Sequence, residues 1–86
     1  MLHARADYQG RIIDKAGLIP DDEPVFMLRA RDMLAPALVI LWSEQLRAAG
    51  GDPAMADLAF KHASAMRRWQ ATHGGPKLPD LPTPAA

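Results

Sequence analysis

Two stretches of this chain hold side chains whose types and spacing could do chemistry. One is Asp21-Asp22-Glu23 with Arg29, Arg31 and Asp32, and the other runs from His62 through Arg67-Arg68-Trp69-Gln70 to His73. Three consecutive acids suggest a cation site or an acid/base pair. Sequential neighbours on a helix do not face one another, however, and a metal ion needs several ligands converging on one point. The acids are therefore read as a helix start, where a carboxylate accepts from free backbone N–H groups and opposes the positive helix end. Arg29 and Arg31 offer rigid planar forks to a partner carboxylate, or pair internally with Glu23 or Asp32. His62 and His73 return to nearly the same helical face, but a rise of about 16 Å separates them, too far for one ion. His62 reads as a core-edge residue and His73 as a helix-end residue favoured by the helix dipole. Ser43 and Ser64, the only serines, sit in no Gly-x-Ser-x-Gly elbow. Arg67, Arg68 and Trp69 combine charge with an aromatic, the material of single-strand stacking. The alternative puts Trp69 in the core and the arginines in solvent. Pro76 to Pro79 and Pro79 to Pro82 each satisfy PxxP, a pattern that aromatic-lined modules bind and that any proline-rich tail produces. No catalytic, metal or cofactor-binding residue is assigned, and no enzyme is expected.

The elements that must position these residues follow from punctuation and period. Asp21 or Asp22 caps a short first helix with Pro24 in its first turn, ending near Asp32 or Met33. Pro36 starts a second helix, which runs to about Ala49 and stops at Gly50-Gly51. Leu34, Leu38, Leu41, Trp42, Gln45, Leu46 and Ala49 have the spacing of its buried face. Val39 and Ile40 fall off that face and need a second cover, from the N-terminal segment or from another subunit. Asp52-Pro53 starts a third helix reaching Thr72 or His73, with Met55, Leu58 or Ala59, His62, Ala63, Met66 and Trp69 inward and Asp57 paired to Lys61. A short connection makes the last two helices antiparallel neighbours. Trp42 then lies opposite Ala59 to Ala63, and Trp69 packs on the first helix or the N-terminal segment. Asp14-Lys15-Ala16-Gly17 has the residues of a type I turn, and the flanking Ile12, Ile13, Leu18 and Ile19 are expected against the helices. Residues 1–9 carry no period and read as flexible, 10–73 as one helical domain, and 74–86 as an extended proline-rich tail.

A chain of 86 residues buries only about 60% of its surface if some 60 residues fold. Without cysteine it has no disulfide or thiolate metal site, so packing or self-association must add stability. Ten Lys and Arg against ten Asp and Glu give no bias toward polyanions, which favours protein partners over nucleic acid. The opening Met-Leu-His-Ala-Arg-Ala-Asp-Tyr lacks the apolar run of a secretory signal, and Met33 to Trp42 is about half a membrane span. A cytoplasmic protein with no membrane contact is expected.

The run Ile19-Pro20-Asp21-Asp22-Glu23-Pro24-Val25-Phe26-Met27-Leu28-Arg29-Ala30-Arg31-Asp32, with Leu34-Ala35-Pro36, Gly50-Gly51-Asp52-Pro53, His62-Ala63, Met66 and Trp69-Gln70, resembles a group of small proteins encoded by bacteria and their phages. It covers roughly residues 11–80. The group has no established activity, so the resemblance implies a prokaryotic or prophage origin and transfers no catalytic residue. The reading is an all-α protein, a short helix plus an antiparallel helical hairpin. It would serve as a non-enzymatic phage or prophage accessory factor binding a host or phage protein, for instance to block a defence or regulatory complex. A nucleic-acid-associated module using the Arg67-Arg68-Trp69 helix end is the alternative. A small enzyme, with a deep pocket joining Arg29, Arg31 and His62, stands third. Contact residues are expected at Val39, Ile40, Phe60, Arg29, Arg31, Arg67 and Arg68, with a homodimer formed through Val39 and Ile40.

Overall fold

The structure, a computed structural model, describes residues 1–82. It is mostly helical, with α1 at Ala35–Ala48 and α2 at Pro53–Thr72, and with a small parallel sheet of β1, Leu2–His3, and β2, Pro24–Val25. The described residues divide into two compact units, 1–27 with 80–82, and 28–79. The boundaries expected after residues 9 and 73 do not coincide with this division.

In the first unit the expected helix after Asp21 and Asp22 does not form. Pro24 and Val25 pair instead with Leu2 and His3, and the Glu23 carbonyl accepts from the Leu2 N–H at 2.8 Å. A first helical turn fixes many dihedrals for one hydrogen bond, and a lone helix of about a dozen residues is marginal in water, so the pairing of Pro24 and Val25 with β1 prevails. Residues 1–9, read as flexible, contain β1 and a 3₁₀ turn at Ala6–Tyr8 that buries Tyr8 to 5% exposure. Arg5 and Arg11 lie over the Tyr8 ring, 4.8 and 5.6 Å from its centre, and His3 meets it edge-on at 6.3 Å. Each stacked guanidinium is worth about 0.5–1 kcal/mol. Asp7 accepts two hydrogen bonds from Arg5, which hold its carboxyl below the ordinary carboxylate value and raise Arg5 in return.

The turn at residues 14–17 closes as its residue types require, with the Gly17 N–H donating to the Asp14 carbonyl at 3.2 Å. The Asp14 carboxylate also accepts from the Ile19 N–H at 2.7 Å, which lowers its pKa. Asp7 and Asp14 both lie below their values in an unfolded chain. The stability they lend is therefore present above the ordinary carboxylate range and is lost as pH falls through the lowered values. Ile12 and Ile19 are half-buried, whereas Ile13 and Leu18, expected under cover, are exposed.

In the second unit α1 and α2 pack on one another. Their ends follow the punctuation closely. The Gly51 N–H donates to the Leu46 carbonyl and the Gly50 N–H to the Arg47 carbonyl, the double closure that terminates helices on a left-handed residue, here Gly50 at φ 76°. Asp52 caps α2 by accepting from the Ala54 N–H at 2.9 Å, with Pro53 in the first turn. A Cβ at Gly51 would lie 2.3 Å from Leu46 Cδ1 and 3.0 Å from the Leu46 carbonyl oxygen. Gly51→Ala is therefore expected to destabilise the second unit by about 1–3 kcal/mol, measured as a lower urea midpoint with unchanged slope.

Asp57 pairs with Arg47 of α1 rather than with Lys61. The pair is exposed and contributes at most about 1 kcal/mol. Part of the expected tail is tied down. The Lys77 N–H donates to the Arg31 carbonyl at 3.0 Å, and its carbonyl accepts from the Met33 N–H at 2.9 Å, a parallel bridge opposite Asp32. The last four residues of that tail, 83–86, lie outside the described residues.

A candidate interaction surface

The seam between α1 and α2 is built from small side chains. On α1 the buried residues are Ala35, Pro36 and Ser43, with Val39, Ile40 and Leu46 half-buried beside them. On α2 they are Ala56, Ala59, Ala63 and Met66, spaced three and four apart along one face. Small residues at a helix contact let the axes approach toward the short end of the usual range of about 8–10 Å. Ser43, 2% exposed, satisfies its hydroxyl by donating to the Ile40 carbonyl at 2.7 Å.

This seam reverses the face expected for α1. Leu38, Leu41, Trp42 and Gln45 point outward and are exposed. Val39 and Ile40, expected to form an intermolecular contact, are half-buried within the single chain. On α2, Ala59, Ala63 and Met66 are inward as expected, but Met55, Leu58 and His62 are exposed and Trp69 is not in the core. Phe60 is exposed, and Ser64 and Arg67 follow it four and seven residues on along the same face of α2.

A second cluster forms at the C-terminal end of α2. The Gln70 side-chain amide donates to the carbonyls of Ala30 at 2.7 Å and Asp32 at 3.2 Å, fixing the loop that carries Arg29 and Arg31 to the helix turn that follows Arg67 and Arg68. All four arginines are exposed. Asp32 does not pair with them, since its carboxylate accepts from the Leu34 N–H at 2.8 Å before α1 begins. Trp69 stacks on His73 with ring centres 4.2 Å apart and planes 6° apart, and the His73 ring lies 2.9 Å from the Trp69 carbonyl. The neutral total charge is divided unevenly. Residues 28–79 carry seven Lys and Arg against four Asp and Glu, and the other unit carries three against six.

The acids Asp21, Asp22 and Glu23 form a turn in which the Glu23 N–H donates to the Pro20 carbonyl, not a helix cap. Among the described residues no group of three or more His, Asp or Glu side chains gathers as a metal site would require. A cleft of about 460 Å³ opens in the first unit between Gln9, Ile12, Asp14, Ile19 and Asp21, and none of Arg29, Arg31 or His62 lines it. No helix among the described residues is long and apolar enough to cross a membrane.

Sequence reasoning missed the outward role of Leu38, Leu41 and Trp42 and the anchoring role of Gln70. The alanine spacing at 56, 59 and 63 was the available signal for the first, because it marks a face that only a close neighbour can use. Nothing local to Gln70 signals bonds to residues 38 and 40 positions earlier. Comparison of the chain with protein-family models, with curated proteins and with solved structures gave no match.

Proposed function

We propose that the protein works by binding another protein, as a non-enzymatic cytoplasmic accessory factor of bacterial or prophage origin that engages a host protein such as a defence or regulatory complex. The observation that supports this reading is the inversion of the helical unit, in which alanine, serine and proline are buried while Leu34, Leu38, Leu41, Trp42, Leu58 and Phe60 are exposed. Scattered exposed apolar residues need no explanation, but this many on two helices supports a role in binding. Read as an antiparallel hairpin, the helices offer Phe60 and Arg67 on one face of α2, with Arg29, Arg31 and Arg68 at its C-terminal end. Aromatic and arginine side chains are the types that dominate binding energy at interfaces. Val39 and Ile40, being half-buried, offer less of themselves to this surface.

Affinity purification from bacterial lysate tests the reading. Wild type is expected to recover the same protein repeatedly, and Phe60→Glu/Arg67→Glu, with unchanged circular dichroism, to recover at least about tenfold less. Repeated recovery of no common protein rejects it.

The charge excess of the second unit favours one further reading, a nucleic-acid-associated module using Arg29, Arg31, Arg67, Arg68 and the exposed Trp69–His73 stack. A gel shift that appears at low salt and vanishes steeply as salt is raised would select it.

A further inference from the structure

We infer that the outer face of α1 is a self-pairing surface, so that a second copy of this chain covers it in a two-fold dimer. This rests on the binding reading above and names one occupant for one of its faces. Leu34, Leu38, Leu41 and Gln45 recur at spacings of four, three and four, the alternation that brings one stripe of a helix against a partner helix. Trp42 flanks the stripe. Leu34, Leu38, Leu41 and Trp42 are each between 46 and 50% exposed, and Met33 just before α1 is exposed to the same degree.

Area and charge both point to a second copy. Half-exposed side chains of this size leave roughly 80–120 Å² each, so five of them offer about 450–500 Å² per copy. Two copies bury at most about 900–1,000 Å², the size of a small interface such as a weak dimer forms. A two-fold axis lays the same stripe of both copies together, so charges of one sign on it would be brought close to one another. Residues 33–43 contain no charged side chain, with Asp32 and Glu44 standing just outside. Antiparallel pairing centred between Leu38 and Leu41 sets Leu38 of each copy against Leu41 of the other. Gln45 falls at the end of the stripe against Leu34, where one polar residue holds the register without losing contact with water. The dimer expected from sequence used the opposite face of the same helix.

Light scattering at high micromolar concentration tests this on the full chain. Wild type is expected at about twice 9.4 kDa. Leu38→Glu and Leu41→Glu are each expected at the monomer mass with helical circular dichroism retained, and Phe60→Glu is expected to stay dimeric. A wild-type monomer overturns the inference, as does a Leu41→Glu protein that keeps the dimer mass. Because Phe60→Glu spares the dimer, the two readings fail separately. A wild-type monomer that still recovers a lysate partner through Phe60 removes only the dimer. A dimer that recovers no partner removes only the host-protein reading.

Discussion

Replacing Tyr8 with alanine is expected to open the N-terminal unit, at a cost of about 3–5 kcal/mol. Tyr8 is the one large aromatic that is almost wholly buried, and His3, Arg5 and Arg11 all contact its ring. The sheet beside it is two residues long on each side, too short to stand without a packed face. Removing the ring leaves a cavity where the unit has its main apolar anchor, and both guanidinium stacks go with it. Hydrogen exchange reads the result directly, because the Leu2 amide is protected by its bond to the Glu23 carbonyl. That protection should fall toward the unfolded rate in Tyr8→Ala. Tyr8→Phe keeps the ring and should cost about 1 kcal/mol or less. Full protection of Leu2 in the alanine variant would show that the sheet does not depend on this packing.

Enlarging the helix seam gives the second large effect. Ala63→Leu puts a branched side chain at a fully buried position of α2, and about 2–3 kcal/mol of stability is expected to be lost. For a domain of this size that corresponds to a Tm lower by roughly 10–20 °C. Leu58→Ala is the informative partner experiment. Leu58 is exposed, so its truncation should change stability by no more than about 0.5 kcal/mol. Urea denaturation followed by helical circular dichroism compares the two. If Leu58→Ala were the costly change and Ala63→Leu the mild one, the helices would meet through the large residues and the seam assignment would be wrong.

The two residues also show why helix position was legible in the sequence and helix orientation was not. Pro36, Gly50-Gly51 and Asp52-Pro53 act on the backbone locally, through a missing N–H, a left-handed conformation and a carboxylate cap, and such effects need no partner to be read. The α1 segment, by contrast, is apolar nearly all round from residue 33 to 42, so its period offers several faces of similar hydrophobicity. Ranking those faces by side-chain size chose Leu38, Leu41 and Trp42. The fold instead buries Ala35, Pro36 and Ser43 on α1, with Val39 and Ile40 half-buried, and leaves those larger side chains exposed.

By itself the sequence determined two helices and their ends, the turn at residues 14–17, and the basic, aromatic character of the α2 terminus. These depend on residues close together in the chain, whose backbone preferences act before any tertiary contact exists. Tertiary structure alone decided that Leu2 pairs with Pro24, that Tyr8 is the hub of the first unit, and that Gln70 and Lys77 hold the arginine loop. It also decided which apolar face of α1 remains open. Each of these joins residues far apart in sequence, and its free energy comes from matching two surfaces, a property that neither segment displays alone.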